Sequence, residues 1–187
     1  PEHCRKGIFA TPRTYPAYVR YSGPGPNVPA DINDVRFMSM AVKLMGVPGT
    51  KLMSEEKYTQ DFIATSGGAT FVTPNTRENA KLQYWSLVDM TLYYFLNPKD
   101  SHLLDFFMQS LWNATQYNPL GQRYWSCTPY LLGEGQAMMY SFVPKSASEV
   151  GTDIPELPFG PPPFNYLREN MIKTLNEKDV EFDLMIQ

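Results

Sequence analysis

Two runs of alternating side chains, separated by a proline- and glycine-rich segment, most constrain how this chain folds. The first run is Tyr15–Ser22, the second is Val35–Met45, and Gly23–Asn27 between them reads Gly-Pro-Gly-Pro-Asn. Proline removes a backbone donor and glycine permits turn conformations, so this segment ends the first run. Alternation of this kind is typical of β-strands. The pattern therefore predicts two strands joined by a loop.

The polar residues of the first run share one face of the predicted strand, because successive side chains of a strand point in opposite directions. The first face carries Ala17, Val19 and Tyr21, and the second face carries Tyr18, Arg20 and Ser22. We expect the first face to lie in the core. An unpaired charge is costly to bury, so we expect an anion opposite Arg20. The simpler alternative is a surface salt bridge of Arg20 and a serine that ends the strand.

Strand-like and helix-like segments alternate along the rest of the chain. Apolar residues recur every three or four positions after Thr76, which predicts a helix that Asn97-Pro98 ends, and a second helix follows Asp100 or Ser101. Further predictions are a short helix at Glu2–Ile8, strands at Gln60–Thr65 and Val180–Ile186, a hairpin turning at Gly133–Gly135, a loop at Glu156–Pro163 and a helix at Phe164–Glu177. Together they predict one α+β domain over residues 1–187, with an antiparallel, barrel-like β-sheet and inserted helices.

Composition excludes several classes of function. The formal net charge is -3 over 187 residues and no basic stripe is visible, so nucleic acid is not the expected partner. No apolar run is long enough to predict a membrane span. Two cysteines do not make a disulfide framework, which slightly favours a reducing, cytoplasmic setting. The chain starts without methionine and stops in a strand-like run, so we expect an internal fragment.

Familiar catalytic motifs are absent from the sequence. It contains no phosphate loop, no dinucleotide fingerprint and no zinc-binding spacing. With only His3 and His102, no histidine-rich metal site is expected, and both histidines are interpreted as solvated. Cys127 is interpreted as a small buried hydrophobe, with a soft ligand as the alternative.

The pieces around the first strands resemble a known family. Tyr-Pro-Ala-Tyr-Val-Arg-Tyr-Ser22, Asp34-Val-Arg36, Met40-Ala-Val-Lys43 and Gln60-Asp-Phe-Ile63 are similar to the central barrel of the heme catalase superfamily, closest to its short catalase-like branch. Three later segments also match that branch in order, namely Tyr124–Tyr130, Gln136–Val143 and Tyr166–Ile186. The resemblance therefore spans nearly the whole chain and implies a catalase-like β-barrel.

The resemblance also implies roles for three residues. Arg20 matches the arginine that contacts a heme propionate, and Ser22 matches the serine that hydrogen-bonds the distal histidine. The distal asparagine of catalases falls near Thr65 or Ser66, where this chain has a hydroxyl in place of the amide. The distal histidine is expected upstream of Pro1 and the iron-ligating tyrosine downstream of Gln187.

The function implied is heme-dependent turnover of hydrogen peroxide or an organic, lipid-type hydroperoxide, with Ser22 and Thr65 as catalytic residues and Arg20 as a cofactor-binding residue. Loss of the distal amide favours a peroxidase, or a hydroperoxide-rearranging enzyme of the allene oxide synthase type, over an efficient catalase. One alternative is a catalase-fold protein without heme that serves as a binding or structural module. Another is a lipid-binding barrel with a lumen lined by Tyr18, Met38 and Phe62.

Overall fold

The computed structural model is described for most of the chain. The described residues are 2–23, 28, 30–31, 37–69, 73–112, 116–145, 147 and 160–187, with the side chains of 109–112 excepted. The Asp34-Val-Arg36 motif lies outside these residues, and so does the first half of the expected loop at Glu156–Pro163. No helix in the described part of the chain is both long and apolar enough to cross a membrane.

The main element is a curled six-stranded antiparallel sheet that forms half of a barrel. Its strands in spatial order are β1 (Ala17–Ser22), β2 (Ser39–Met45), β3 (Thr59–Thr65), β4 (Tyr124–Trp125), β7 (Tyr140–Pro144) and β8 (Phe182–Ile186). A small hairpin is formed by β5 (Tyr130–Leu131) and β6 (Ala137–Met138). The predicted α+β class and the antiparallel sheet are confirmed, whereas its catalase-like identity stays a prediction.

Four α-helices accompany the sheet within the described residues. They are α1 (Thr76–Leu87), α2 (Thr91–Leu96), α3 (Leu103–Trp112) and α4 (Tyr166–Glu177). The Asn75 side chain accepts a hydrogen bond from the backbone N–H of Glu78 at 3.0 Å, so it caps α1. The prediction of one continuous helix from Thr76 to Leu96 is wrong. Asp89 has a φ of 57°, which the helical conformation excludes, and it separates α1 from α2.

Alternation along β2 and the residue before it places apolar side chains in the core. Met38, Met40 and Val42 are buried, and the facing residues of β3, Phe62 and Ala64, are buried with them. The remaining members of this core cluster are Tyr124, Leu132, Met138, Tyr140, Phe142, Tyr166 and Leu167. Helix α4 and the β5–β6 hairpin therefore contribute to the cluster that covers this face of the sheet.

The core assignment for β1 is only partly right. Tyr21 packs against the core, and its ring centroid lies 5.8 Å from that of Tyr124. Ala17 is exposed and Val19 is 48% exposed. Strand β1 is an edge of the sheet, so fewer elements cover its outer part. The segment predicted as a helix at Glu2–Ile8 contains two short 3-10 turns, Glu2–Cys4 and Gly7–Phe9.

Two buried tyrosine hydroxyls make hydrogen bonds that stabilise the sheet, one between two of its strands and one to a neighbouring 3-10 turn. Tyr140 donates to the carbonyl of Ile63 at 2.8 Å and accepts from its N–H at 2.9 Å, which connects β7 to β3. Tyr124 donates to the Pro119 carbonyl at 2.8 Å. Burial raises the pKa of both phenols, so each stays protonated and able to donate.

Adjacent residues on β3 test which face is the core. We expect Phe62→Ala to lower the free energy of unfolding by about 3–5 kcal/mol, since it removes a ring that is 5% exposed. Its neighbour Ile63 points to the opposite face and is 57% exposed, so Ile63→Ala costs less than about 1 kcal/mol. Urea denaturation of both variants measures the difference, and equal losses would contradict the register.

Candidate functional site

The face of the sheet opposite the core carries the residues singled out by the sequence. We call it the open face, and it includes Tyr18, Arg20, Ser22, Ser39, Ala41, Lys43, Asp61, Ile63, Thr65, Trp125, Ser141 and Met185, which strand register places on one side. Several of its apolar side chains meet solvent, with Tyr18 73% and Met185 52% exposed. The open face therefore combines apolar surface with hydroxyls and charges.

A continuous row of paired residues crosses the open face. It runs through all six strands in the order Ser22, Ser39, Thr65, Trp125, Ser141 and Met185. Ser22 and Thr65 are thus separated by one strand, about 10 Å across two strand spacings. Arg20 lies in the next row, which continues to Ala41 and Ile63. The structure therefore places all three predicted site residues on one face, without direct contact between Ser22 and Thr65.

Arg20 and Lys43 differ in their partners. Lys43 Nζ lies 3.0 Å from a carboxylate oxygen of Glu56 and 3.0 Å from one of Asp61, and these two acids raise its pKa. Arg20 is exposed on an edge strand, and it makes no ion pair or hydrogen bond with any residue that the structure describes. The salt bridge offered as the simpler explanation of Arg20 is thus not found among those residues. Within the described part of the chain, nothing competes with an external anion for its guanidinium.

The structure distinguishes Thr65 from its neighbour Ser66. Ser66 is 3% exposed, and its hydroxyl accepts a hydrogen bond from the Met38 N–H at 3.0 Å. That hydroxyl serves to join the end of β3 to the start of β2. Thr65 is half-buried and faces the open side of the sheet. Of the two candidates for the distal polar position, Thr65 is therefore the one available to a ligand on this face.

Cys127 contacts the predicted site in a way that the sequence did not indicate. Its Sγ lies 2.9 Å from the hydroxyl oxygen of Thr65, and its backbone φ is 57°, an uncommon value for a residue other than glycine. The thiol is half-buried and has polar neighbours, so its interpretation as a plain buried hydrophobe is wrong. The contact depends on pairing between residues 62 positions apart, which no local motif reveals.

A cavity of about 930 Å³ adjoins the row of paired residues. Its lining includes Trp125, Cys127, Ser141 and Met185 from the strand side and Asn75 and Thr76 from the start of α1. Pockets that bind small molecules commonly measure about 300–1,000 Å³. The cavity is therefore large enough for an organic ligand that reaches the row at Trp125 and Ser141.

Arg123 supplies a cation at this cavity, in addition to Arg20 elsewhere on the sheet. Its guanidinium carbon lies 5.1 Å from the centre of the Trp125 ring, and its Nη2 donates to the Ser141 hydroxyl at 3.0 Å. Stacking on the indole and this hydrogen bond fix the orientation of the arginine. No local motif singles out Arg123, Trp125 or Ser141, because the pairing of β4 with β7 brings them together.

Two other expectations fail against the structure. His102 is not a solvated residue, because its side chain is 15% exposed and its ring stacks on Tyr94 with centroids 4.4 Å apart. Burial, with the nearby carboxylates of Glu78 and Asp105, raises the pKa of Tyr94 to about 12. The proposed lipid-binding lumen is wrong as well. Met38 and Phe62 lie in the core cluster, whereas Tyr18 is on the opposite face.

Comparisons of the chain with family models, with curated proteins and with solved structures gave no match. The function of this chain is therefore inferred from the geometry of its open face.

The described residues of the open face suit part of a heme. A heme has an apolar ring system and two carboxylates, and this face offers exposed Tyr18 and Ile63 together with the guanidinium of Arg20, which has no partner among the residues described. Neither histidine lies on this face, because His3 belongs to an N-terminal 3-10 turn and His102 precedes α3. These residues would hold the edge and one side of the ring, and they do not supply its distal imidazole.

The contact between Thr65 and Cys127 can be tested by cross-linking. We expect Thr65→Cys to form a disulfide with Cys127 under mild oxidation, because the native side-chain atoms already lie 2.9 Å apart. Ser22→Cys is the matched control, since it lies in the same row about 10 Å from Thr65. Peptide mapping without reductant identifies the bond. Equal oxidation of both variants to Cys127, or of neither, would show that the row is wrongly placed.

Proposed function

We propose that this chain forms part of a heme-dependent enzyme that metabolises peroxides, as the catalase resemblance implies. The observation that carries the proposal is that Arg20, Ser22 and Thr65 share the open face of a curled antiparallel sheet. Two separate segments of the resemblance supply these residues, because Arg20 and Ser22 belong to Tyr15–Ser22 and Thr65 follows Gln60–Ile63. Their common face supports one shared ligand.

Arg20 binds a heme propionate in this proposal. A guanidinium presents two parallel N–H groups, which match the two oxygens of a carboxylate. No described residue competes for it, in contrast with Lys43, which already contacts Glu56 and Asp61. Tyr18 precedes Arg20 by two residues on β1, and Ile63 lies in the same row as Arg20 on β3. The exposed apolar side chains of Tyr18 and Ile63 pack against the ring.

Ser22 and Thr65 act on the side of the ring where the peroxide binds. The Ser22 hydroxyl orients the distal imidazole expected outside these residues, as an outer partner that fixes a histidine's tautomer. When bound, heme supplies the redox chemistry that cleaves the peroxide O–O bond. The Thr65 hydroxyl takes the place of the distal amide, and its contact with Cys127 holds it at that position.

The organic hydroperoxide is the substrate that this site favours over hydrogen peroxide. The cavity of about 930 Å³ reaches the row at Trp125 and Ser141, and it has room for the organic part of such a molecule. A hydroxyl at Thr65, engaged with the Cys127 thiol, offers less polarisation of the peroxide than an amide donor. Peroxidase or hydroperoxide-rearranging chemistry therefore fits better than rapid disproportionation of hydrogen peroxide.

Substitution of Arg20 tests the cofactor contact. We expect Arg20→Gln to weaken hemin binding by about tenfold to 100-fold, because a charge-assisted hydrogen bond of about 1.5–3 kcal/mol is lost. Hemin titration of the full-length gene product, followed at the Soret band, measures the change. Arg20→Lys keeps the charge but lacks the planar guanidinium, so its hemin affinity should lie between those of the unaltered protein and Arg20→Gln.

Arg13→Gln is the matched control for this experiment. Arg13 is exposed, precedes the sheet, and contacts the ring of Tyr15 with its guanidinium carbon 5.2 Å from the ring centre. Its substitution should leave hemin affinity unchanged. Equal losses for Arg20→Gln and Arg13→Gln would indicate a nonspecific charge effect. A folded product that takes up no hemin would favour the alternative of a heme-free binding module.

A further inference from the structure

A second group of chemically active side chains lies away from the open face, where α1 meets the segment between α2 and α3. It consists of Glu78 from the first turn of α1, with Asp100 and His102 from the segment before α3. One oxygen or nitrogen atom from each residue lies within 4.8 Å of the others. These three residues come from two separate parts of the chain, and packing of the helices brings them together.

The separations suit a small metal ion. His102 Nε2 lies 3.2 Å from Glu78 Oε2 and 3.6 Å from Asp100 Oδ1. Bonds of about 2.0–2.1 Å in a tetrahedral zinc site place neighbouring ligand atoms about 3.3 Å apart. Small side-chain rotations would therefore bring all three atoms onto one ion.

Several buried polar atoms at this place lack a hydrogen-bond partner among the described residues. They are Glu78 Oε2, His102 Nε2 and the hydroxyl of Tyr94. Tyr94 is 3% exposed, and its ring stacks on the His102 ring with an angle of 7° between the planes. Buried polar groups without partners are costly, and an ion at their common position would satisfy the carboxylate oxygen and the imidazole nitrogen together.

The neighbouring charges orient the two kinds of ligand. Asp105 Oδ2 lies 3.3 Å from His102 Nδ1, and in the tautomer with hydrogen on Nδ1 this N–H donates a hydrogen bond to the carboxylate and the Nε2 lone pair is free. A metal-bound histidine usually has such a carboxylate partner. Lys81 Nζ contacts the other oxygens, Glu78 Oε1 at 2.9 Å and Asp100 Oδ2 at 2.7 Å. Each carboxylate thus keeps one oxygen for Lys81 and directs the second toward His102.

We propose that Glu78, Asp100 and His102 form a binding site for a divalent zinc ion. One imidazole nitrogen and two carboxylate oxygens are donors that zinc accepts, whereas magnesium and calcium prefer more numerous oxygen ligands. The ion ties the start of α1 to the segment that leads into α3, and it leaves a fourth position for water. The site is separate from the proposed heme function and does not depend on it.

Zinc titration of the purified protein tests this site. Isothermal titration calorimetry with ZnCl2 should show one zinc per chain, and zinc should raise the melting temperature. In His102→Phe the ring that stacks on Tyr94 is kept and the ligand is lost, so zinc affinity should fall by at least about 100-fold, more than removal of an outer partner causes. Glu78→Gln should show a comparable loss, which keeps the test valid if one variant folds poorly.

His3→Phe is the matched control, because His3 is the only other histidine in the sequence and is exposed. It should bind zinc as the unaltered protein does. Magnesium at the same concentration should produce no rise in melting temperature. The proposal is overturned if the unaltered protein binds no zinc, or if His102→Phe and Glu78→Gln retain its affinity. Glu78, Asp100, His102 and Lys81 would then form an ion-pair network only.

Discussion

The register between β2 and β3 determines which side chains of this sheet are buried and which meet solvent. Val42 faces Phe62 on the core side, and Ala41 faces Ile63 on the open side. Because the side-chain period of a strand is two, a shift of one residue would exchange the two faces of β3. The shift would bury Asp61 and expose Phe62. The cost of burying that carboxylate and exposing that ring holds the register, and with it the position of Thr65 beside Ser39.

Tyr140 extends this arrangement to the second half of the sheet. Strands β3 and β4 pair only at Thr65 and Trp125. The Tyr140 hydroxyl donates to the Ile63 carbonyl and accepts from the Ile63 N–H, which adds a connection between β3 and β7. The sheet curls, and the open face retains exposed apolar and cationic side chains. A face of this kind, opposite a packed core, is the physical basis for placing a large flat ligand there.

Alternation predicted much of the fold, because it is a local property of the chain. It located β3 to within one residue at each end and found the end of β2, whereas β2 begins at Ser39, four residues after the predicted start. It failed where an unusual backbone conformation or a contact between distant residues determines the structure. Asp89 interrupts the helix through a backbone conformation that no spacing encodes. His102 is shielded by Tyr94 and Glu78, which belong to other helices, and Cys127 meets Thr65 only through pairing of distant strands.

The absorption spectrum of the full-length gene product tests the central claim most directly, because it reports whether the open face belongs to a heme pocket. The protein would be purified, incubated with an excess of hemin and freed of unbound pigment. The account predicts a Soret band with one heme per chain, together with a shift when an organic hydroperoxide is added. A folded protein that retains no heme after this treatment would contradict it.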